Sequence, residues 1–571
     1  MEAPDPITLA AVAGTLDSCI REMTITMRRV AMSPVLAIGN DFSNGIFDGQ
    51  ARLLIQGHDQ PVHLGAMIFA CKEVARYFGN DLHPGDVIYH NDPRTGGSHL
   101  PDMTLYKPVF LGDELLFWTV NRSHMNETGG PLAGGYNPLA EEIWAEGLRI
   151  SPVKLYDRGV PRRDVMDLLL TNFRTRRQFR GDFGAQLAAC TLAERRLAKL
   201  LERYGVDVVR ACFEALLDRA ERLMRQEITE MPDGRYEGRA VIEDDRHGSG
   251  DFEVNASVTI AGDSVHVALR APRQTRSYIN SYAANSMGAV YLGMISYTSP
   301  DMPHNEGMYR PLSVDLGPLG TVVNAEEPAA CSLSTSTPFD HIAEAVRTAL
   351  AQALPDRAGG GWAKICHDCF TGVDPRTHED YAYLSHLTSW GGGGAFWGQD
   401  GEPAVGPLEV AGAATTAEVE LIEYMLPFQV HRHELRPDSA CPGRWRGGWG
   451  LVVEIEPIDH DSQLTILGDG MKYPPPSVLG GGSPNDDGRI FHRWMEGPRG
   501  TQQLSLHTVV PLPAGHVLRI YTAGGGGVGP RNERMTEAVL DDWRSGLLPI
   551  QSALSEYGVA IDPDDNGVEA P

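Results

Sequence analysis

Three short stretches in the first 130 residues concentrate side chains able to do chemistry. The first is Asn40-Asp41-Phe42-Ser43, an acid in a loop between an apolar stretch and Ile46-Phe47-Asp48. The second runs Tyr89-His90-Asn91-Asp92-Pro93-Arg94-Thr95-Gly96-Gly97-Ser98-His99-Leu100-Pro101-Asp102. The third is Asn121-Arg122-Ser123-His124-Met125-Asn126-Glu127-Thr128-Gly129-Gly130. Two imidazoles with one or two carboxylates form a hard-to-borderline donor set suited to Zn²⁺ or Mn²⁺. An ion held there with an open position would bring the pKa of bound water to about 7 and so supply a nucleophile at neutral pH. Spacing leaves a second reading open, in which His99 and His124 are buried, hydrogen-bonded loop anchors and Asp102 caps a turn. With 19 His and 75 acidic residues in the chain, pairs three apart such as His99 and Asp102 also arise by chance.

The surrounding pattern shows what must position these groups. Leu9, Val12, Leu16, Ile20, Met23, Met27 and Val30 recur every three or four residues and predict an amphipathic helix that stops near Pro34. From about Val35 to Leu155 short apolar runs lie between turn signals: 87–90, 103–110 and 114–120 read as strands of a buried sheet. The second and third stretches are then loops at strand ends, where a rigid scaffold most often presents reactive side chains. Residues 163–230 read as helical, Tyr236–Leu269 as strands, 280–297 and 339–354 as helices, about 405–521 as strand-rich, and about 533–557 as a last helix before a frayed tail. Helices and strands are segregated, so the expected class is α+β: a large multi-layer subunit with a long N-terminal helix, mixed sheets, a central helical segment and a strand-rich C-terminal half. The expected organisation is 1–160 (helix plus strand-rich metal-site region), 161–232 (helical), 233–404 (mixed), 405–532 (strand-rich) and 533–571 (helix and tail).

Composition narrows the function classes. A net charge of −26 over 571 residues repels phosphate backbones and anionic lipid, arguing against nucleic acid and membrane partners. No apolar run approaches the ~20 residues of a membrane span. The N-terminus lacks Lys or Arg before Arg21 and does not read as a signal peptide. Eight scattered cysteines suit reduced thiols, and Cys366 with Cys369 form a lone CxxC without a second pair, so a cytoplasmic location is expected. His431 and His433 are explained by a solvated strand face. The 63 glycines include runs at 359–361, 391–394, 480–482 and 524–527 that fit neither GxxxxGK[ST] nor a strand–GxGxxG–helix context. They are expected to be turns, or backbone packed on a partner subunit, and no nucleotide site is visible.

Asn91-Asp92-Pro93-Arg94-Thr95-Gly96-Gly97-Ser98-His99-Leu100-Pro101-Asp102 closely resembles the signature NDPY-x-GG-T-HLPD of the hydantoinase B/oxoprolinase family. The resemblance extends over most of the chain: residues 41–48 with 60–67, 141–159, 435–451, 523–530 and 555–561 are each similar to a family segment, in the family's order. It implies a B-type subunit that works with a hydantoinase A-type, ATP-binding subunit (ATP/Mg²⁺ on that partner), in a hetero-oligomer. The implied metal ligands are Asp41, His99, Asp102 and His124, holding Zn²⁺ or Mn²⁺, with Glu127 or Asp92 as candidate general base. The implied activity is ATP-dependent hydrolysis of a cyclic amide (lactam or hydantoin), in which metal-bound water attacks a substrate phosphorylated by the A subunit. An ATP-dependent ketone carboxylase of the acetone or acetophenone type is the alternative, and a scaffold with a structural metal is the alternative from another class. Two departures stand out. Many members have His-His-Ala-Asp-Ile-Gly-Gly where this chain has 124–130, so Met125 replaces the second His and Glu127 an Asp. The family's Asn-Thr-Pro-x-Glu appears as Ala414-Thr415-Thr416-Ala417-Glu418, which weakens any role for that segment.

Overall fold

The computed structural model describes residues 4–410, 416–482, 489–562 and 568–569. Ala414 and Thr415 of the departing C-terminal motif, and most of the tail, lie outside the described residues. The chain divides into two compact units: Met1–Glu237 with Val254–Val346, and Gly238–Glu253 with Arg347–Pro571.

The first unit opens with α1 (Pro6–Val30), whose first turn is capped by Asp5 accepting from Thr8 N–H at 2.9 Å. The predicted stripe is its buried face: Val12, Leu16, Cys19, Ile20, Met23 and Met27. It packs on α5 (Arg176–Tyr204), which offers the small Ala185, Ala189 and Ala193 to the same core. Burying each large apolar side chain there contributes about 1.5–3 kcal/mol. A four-residue turn, α2 (Pro34–Ala37), follows α1, and α3 (Leu64–Phe78), α4 (Arg163–Asn172) and α6 (Val206–Thr229) complete the helices before residue 230. The sheet has the order β2-β1-β5-β4-β3-β6-β7, all antiparallel, from β1 (Phe42–Asp48), β2 (Leu53–Gln56), β3 (Val87–His90), β4 (Asp102–Leu111), β5 (Glu114–His124), β6 (Val153–Asp157) and β7 (Val160–Pro161). β4 and β5 are buried on both faces, with α5 against one of them, so their sequences read as continuous apolar runs rather than alternating ones.

β5 corrects one expectation. Asn121-Arg122-Ser123-His124 reads as loop in the sequence, yet these residues are strand, because their polar groups bond to neighbouring strands: Asn121 to Asn44 at 2.9 Å and Arg122 to Thr104 at 2.9 Å. A second sheet of mixed sense, β11-β10-β9-β8, comprises β8 (Gly234–Ile242), β9 (Phe252–Ala261), β10 (Ser264–Arg270) and β11 (Leu312–Asp315); the tip of its β8–β9 hairpin is counted with the second unit. α7 (Ala283–Ile295) and α8 (Thr337–Ala353) follow as predicted.

In the second unit β12 (Cys366–Val373), β13 (Asp380–Leu384), β16 (Ser462–Gly468) and β19 (Thr508–Leu512) form one antiparallel sheet, and β14 (Phe428–Leu435), β15 (Leu451–Pro457), β17 (His492–Gly497), β18 (Gly500–Gln503) and β20 (Val517–Tyr521) another. A short helix, α9 (Val419–Met425), precedes β14. The single terminal helix expected over 533–557 is two, α10 (Thr536–Arg544) and α11 (Ile550–Tyr557), because Gly546 at φ 74° and Pro549 end one and start the other. All eight cysteines are buried, and none is in a disulfide.

The run 480–482 begins in a turn, with Gly480 at φ 88° and Gly481 N–H donating to Val478 O at 3.1 Å, but the runs at 359–361, 391–394 and 524–527 are not turns. Their backbones lie against one another: Gly448 N–H donates to Gly393 O at 2.8 Å, Gly525 N–H to Gly448 O at 2.9 Å, and Gly526 N–H to Gly361 O at 2.7 Å. The packing expected against a partner subunit is found within this chain. No helix among the described residues is long and apolar enough to cross a membrane.

Candidate metal centre

The register of the seven-stranded sheet assembles the centre. Asp102 opens β4 directly opposite His124, the last residue of β5. On the other side of β5, Phe42 pairs with Ser123, and the preceding Asp41 accepts His124 N–H on its carbonyl at 3.0 Å. Asp41 is thus adjacent to His124 although 83 positions separate them in the sequence. His99 sits three residues before Asp102 in a turn closed by Asp102 N–H to His99 O at 3.2 Å. The loop before it is held by Arg122, a fully buried guanidinium that donates to Ser98 Oγ at 3.4 Å and Gly96 O at 3.3 Å. Gly96 is obligatory there: its φ is 98°, and a Cβ would stand 2.5 Å from Ala70 Cα.

His99, Asp102 and His124 present ligand atoms that all lie within 4.8 Å of one another, and all three residues are buried. Asp102 is the hub: its Oδ1 is 3.0 Å from His99 Nε2 and 3.5 Å from His124 Nδ1. Asp41 Oδ2 lies 3.7 Å from His124 Nδ1. The structure therefore brings together the four residues expected as ligands. It adds a fifth group, His63, in the 3₁₀ turn Pro61–His63 before α3, with Nε2 3.4 Å from Asp102 Oδ2 and 3.9 Å from Asp41 Oδ1. His63 stands in the segment Gln60-Pro61-Val62-His63-Leu64-Gly65, already part of the resemblance; a lone His beside apolar residues gives no reason to single it out.

Hydrogen bonds behind the imidazoles fix which nitrogen faces inward. His99 Nδ1 is 2.6 Å from the carbonyl of Ser332, which can only accept, so Nδ1 carries the proton and Nε2 is turned to Asp102. His63 Nδ1 donates to Ser43 Oγ at 2.9 Å, since that hydroxyl already gives its proton to Gln60 O at 3.1 Å. Both Nε2 atoms then offer lone pairs to the centre, the arrangement in which a second bond orients a metal-ligating imidazole. His99 Nε2 and Asp102 Oδ1 lie 3.0 Å apart at ion-pair distance, and neither atom makes a hydrogen bond. With the proton of His99 held on Nδ1, these are two buried acceptors converging on one point, an arrangement that a divalent cation satisfies. Burial opposes ionisation of Asp102, but when no ion is bound and the rings take up protons, the charges of His99 and His63 outweigh it and hold the carboxyl well below the usual range. Burial likewise opposes a charge on His99, and Asp102 reverses that, raising it.

Asp41 is the one member with appreciable exposure, 17% against 4% or less for the others, so solvent reaches the centre on its side. His124 stacks on Tyr136, ring centroids 5.7 Å apart. Met125, where many resembling chains have a second His, is buried in the apolar core that α1 and α5 share with the seven-stranded sheet. The two candidate bases are engaged by other groups. Glu127 accepts from Gly129 N–H at 2.7 Å and from Arg174 through backbone and guanidinium at 2.7 and 2.8 Å. Asp92 caps the 3₁₀ turn Pro93–Thr95, accepting from Arg94 N–H at 3.0 Å. Neither carboxylate forms a hydrogen bond or ion pair with the five clustered residues. A third buried acid, Glu146, accepts the backbone N–H groups of Cys331 and Ser332, and burial pushes it up to about 7.

Comparison with known proteins places this geometry among relatives. A family model described as hydantoinase B/oxoprolinase matches residues 5–531. Caprolactamase subunit beta of Pseudomonas jessenii is 44% identical over 98% of this chain and 97% of its own length. The crystal structure of the ATP-dependent caprolactamase from the same organism superposes with a TM-score of 0.94 at 43% identity, covering 98% of this chain and 97% of that one. A nucleotide-free acetone carboxylase structure has a TM-score of 0.91 at 18% identity, covering 99% of this chain and 81% of that one, a likeness of fold.

Proposed function

The chain belongs to the hydantoinase B/oxoprolinase family, and from that premise we propose that it is the B-type subunit of an ATP-dependent lactam hydrolase, working in the cytoplasm with an A-type, ATP-binding partner. The observation that carries this reading is its likeness, over nearly the whole of both chains, to a caprolactamase beta subunit. An amide resists attack because its resonance must be lost. Phosphoryl transfer to the amide oxygen on the partner would give an imidate-like phosphate with a good leaving group, and its hydrolysis is assigned to this chain. ATP is assigned to the partner because the glycine runs here are filled by neighbouring backbone.

Asp41, His99, Asp102 and His124, with His63 beside them, would hold Zn²⁺ or Mn²⁺. Such an ion supplies a Lewis acid that makes water nucleophilic near neutral pH and orients the reacting groups. The chain's own residues do the rest. Ser332 and Ser43 keep protons on the outer nitrogens of His99 and His63, leaving the inner ones free. Burial of His99, Asp102 and His63 keeps bulk water from that side, and the partial exposure of Asp41 marks the approach for substrate. Replacing His63 by Ala is expected to weaken divalent-ion binding about 10- to 100-fold. Titration calorimetry on the metal-stripped protein measures this, and wild-type affinity would remove His63 from the centre.

The test of the whole reading is turnover with the partner. Co-purified with its A-type subunit, the chain is expected to support ATP consumption stimulated by caprolactam or a related lactam, with ring-opened amino acid formed and no need for bicarbonate. ATP use that requires a ketone and bicarbonate would select carboxylation instead. ATP use indifferent to lactams, hydantoins and ketones would favour a scaffold with a structural ion.

A further inference from the structure

We infer that Glu146 is a positioning residue for the metal centre, acting on His99 through the main chain of Cys331 and Ser332. The inference rests on the metal reading above and extends it to a residue 47 positions from His99 in sequence.

Glu146 ends the 3₁₀ turn Ile143–Ala145, which is docked by Ile143 N–H to Pro328 O at 3.0 Å. Its side chain is buried, and both carboxylate oxygens point at one short stretch of backbone. Cys331 N–H lies 2.9 and 2.8 Å from Oε1 and Oε2, and Ser332 N–H lies 2.6 Å from Oε1. The same Ser332 receives the proton of His99 Nδ1 on its carbonyl at 2.6 Å. One residue is thus clamped at its N–H by Glu146 while its C=O sets the tautomer and the rotation of a ligand imidazole. The stretch makes two further contacts with the ligand loop: Ser334 Oγ donates to Ser98 O at 2.8 Å, and Thr335 Oγ1 lies 3.3 Å from His99 Nδ1.

A structural role alone does not explain a carboxylate here. Burying one without a cationic side chain is costly, and its donors are neutral amides that an uncharged acceptor could also satisfy. A buried negative charge two bonded groups behind His99 gains its complement when a dication occupies the centre, and the backbone carbonyl it steadies is the outer partner that orients the imidazole. Glu146→Gln keeps the volume and one acceptor oxygen but loses the charge and turns an N–H₂ toward N–H donors; Glu146→Asp keeps the charge and shortens the reach.

The experiment uses the full chain, stripped of metal and reloaded with Zn²⁺ or Co²⁺. Glu146→Gln is expected to bind Zn²⁺ about 10- to 100-fold more weakly than wild type and to shift the visible absorption of the Co²⁺ form, with Glu146→Asp intermediate in both. Circular dichroism and thermal melting of the metal-free proteins establish that each variant is folded. A folded Glu146→Gln with wild-type affinity and a wild-type Co²⁺ spectrum overturns the inference; should that variant not fold, the same two readings on Glu146→Asp decide it. If wild type and His99→Ala bind Zn²⁺ equally, the metal reading itself fails, an outcome seen before any Glu146 variant is made.

Discussion

Asp102→Asn is expected to cost roughly 100-fold or more in lactam hydrolysis and to leave the purified chain without stoichiometric divalent metal. Asp102 is the carboxylate that three imidazoles share, at 3.0 Å from His99, 3.5 Å from His124 and 3.4 Å from His63. Asn preserves the volume and can still accept the hydroxyl of Ser98, the partner of Asp102 Oδ2. What it removes is the buried negative charge. Loss of a group that merely orients a metal ligand already costs about 10- to 100-fold in metal affinity or activity, and loss of the charged ligand itself is expected to reach or exceed the top of that range. Metal content by elemental analysis and turnover with the A-type subunit are the two measurements; full occupancy together with full turnover in a folded variant would remove Asp102 from the centre. Asp92→Asn and Glu127→Gln belong in the same series. A general base contributes about 10²–10⁴ in rate, so a loss of that size with metal retained would identify either as the base despite its present engagement with Arg94 or Arg174.

What is legible in the sequence follows the range of the forces involved. The helix α1 is readable because its stripe is a local, 3.6-residue periodicity, and β3 and β4 because apolar runs bounded by turn residues have few other uses. Asp41, His99, Asp102 and His124 follow from a motif, but nothing local says that Asp102 faces His124; strand register does, and register is set by the whole sheet. The polar end of β5 reads as loop because Asn, Arg, Ser and His in a row resemble one. Only the neighbouring strands, which supply Asn44 and Thr104 as partners, make those residues tolerable in a buried strand. His63 and Glu146 are invisible for a related reason. Each acts through a residue distant in the chain, Ser43 or Ser332, and in isolation a single His or Glu carries no signal of what it touches.

The glycines extend the same point to stability and yield the second large effect. Gly447→Ala and Gly525→Ala are each expected to destabilise the second unit by about 1–3 kcal/mol or more, the usual range for overpacking a close-packed interior. The positions are extreme for that class: a Cβ on Gly447 would stand 1.8 Å from Gly525 O, and one on Gly525 would stand 1.9 Å from Gly393 O. Neither residue has the positive φ that ordinarily explains a glycine, so space rather than backbone conformation demands it. The obstacle in each case is a carbonyl engaged in bonding: Gly525 O accepts Cys441 N–H at 3.0 Å, and Gly393 O accepts Gly448 N–H at 2.8 Å. Relief therefore requires breaking hydrogen bonds between segments far apart in sequence, not a rotamer change. Gly184→Ala, within α5 of the first unit and with nothing within 4 Å of its would-be Cβ, is the control for a glycine with room and is expected to be neutral or stabilising by up to about 1 kcal/mol. Thermal melts of the three variants, at ~2–4 °C per kcal/mol for a unit of this size, separate the cases. Melting temperatures for Gly447→Ala and Gly525→Ala at or above that of Gly184→Ala would show that the glycine layer is loose enough to admit a methyl group, and that its close packing does not hold the unit together.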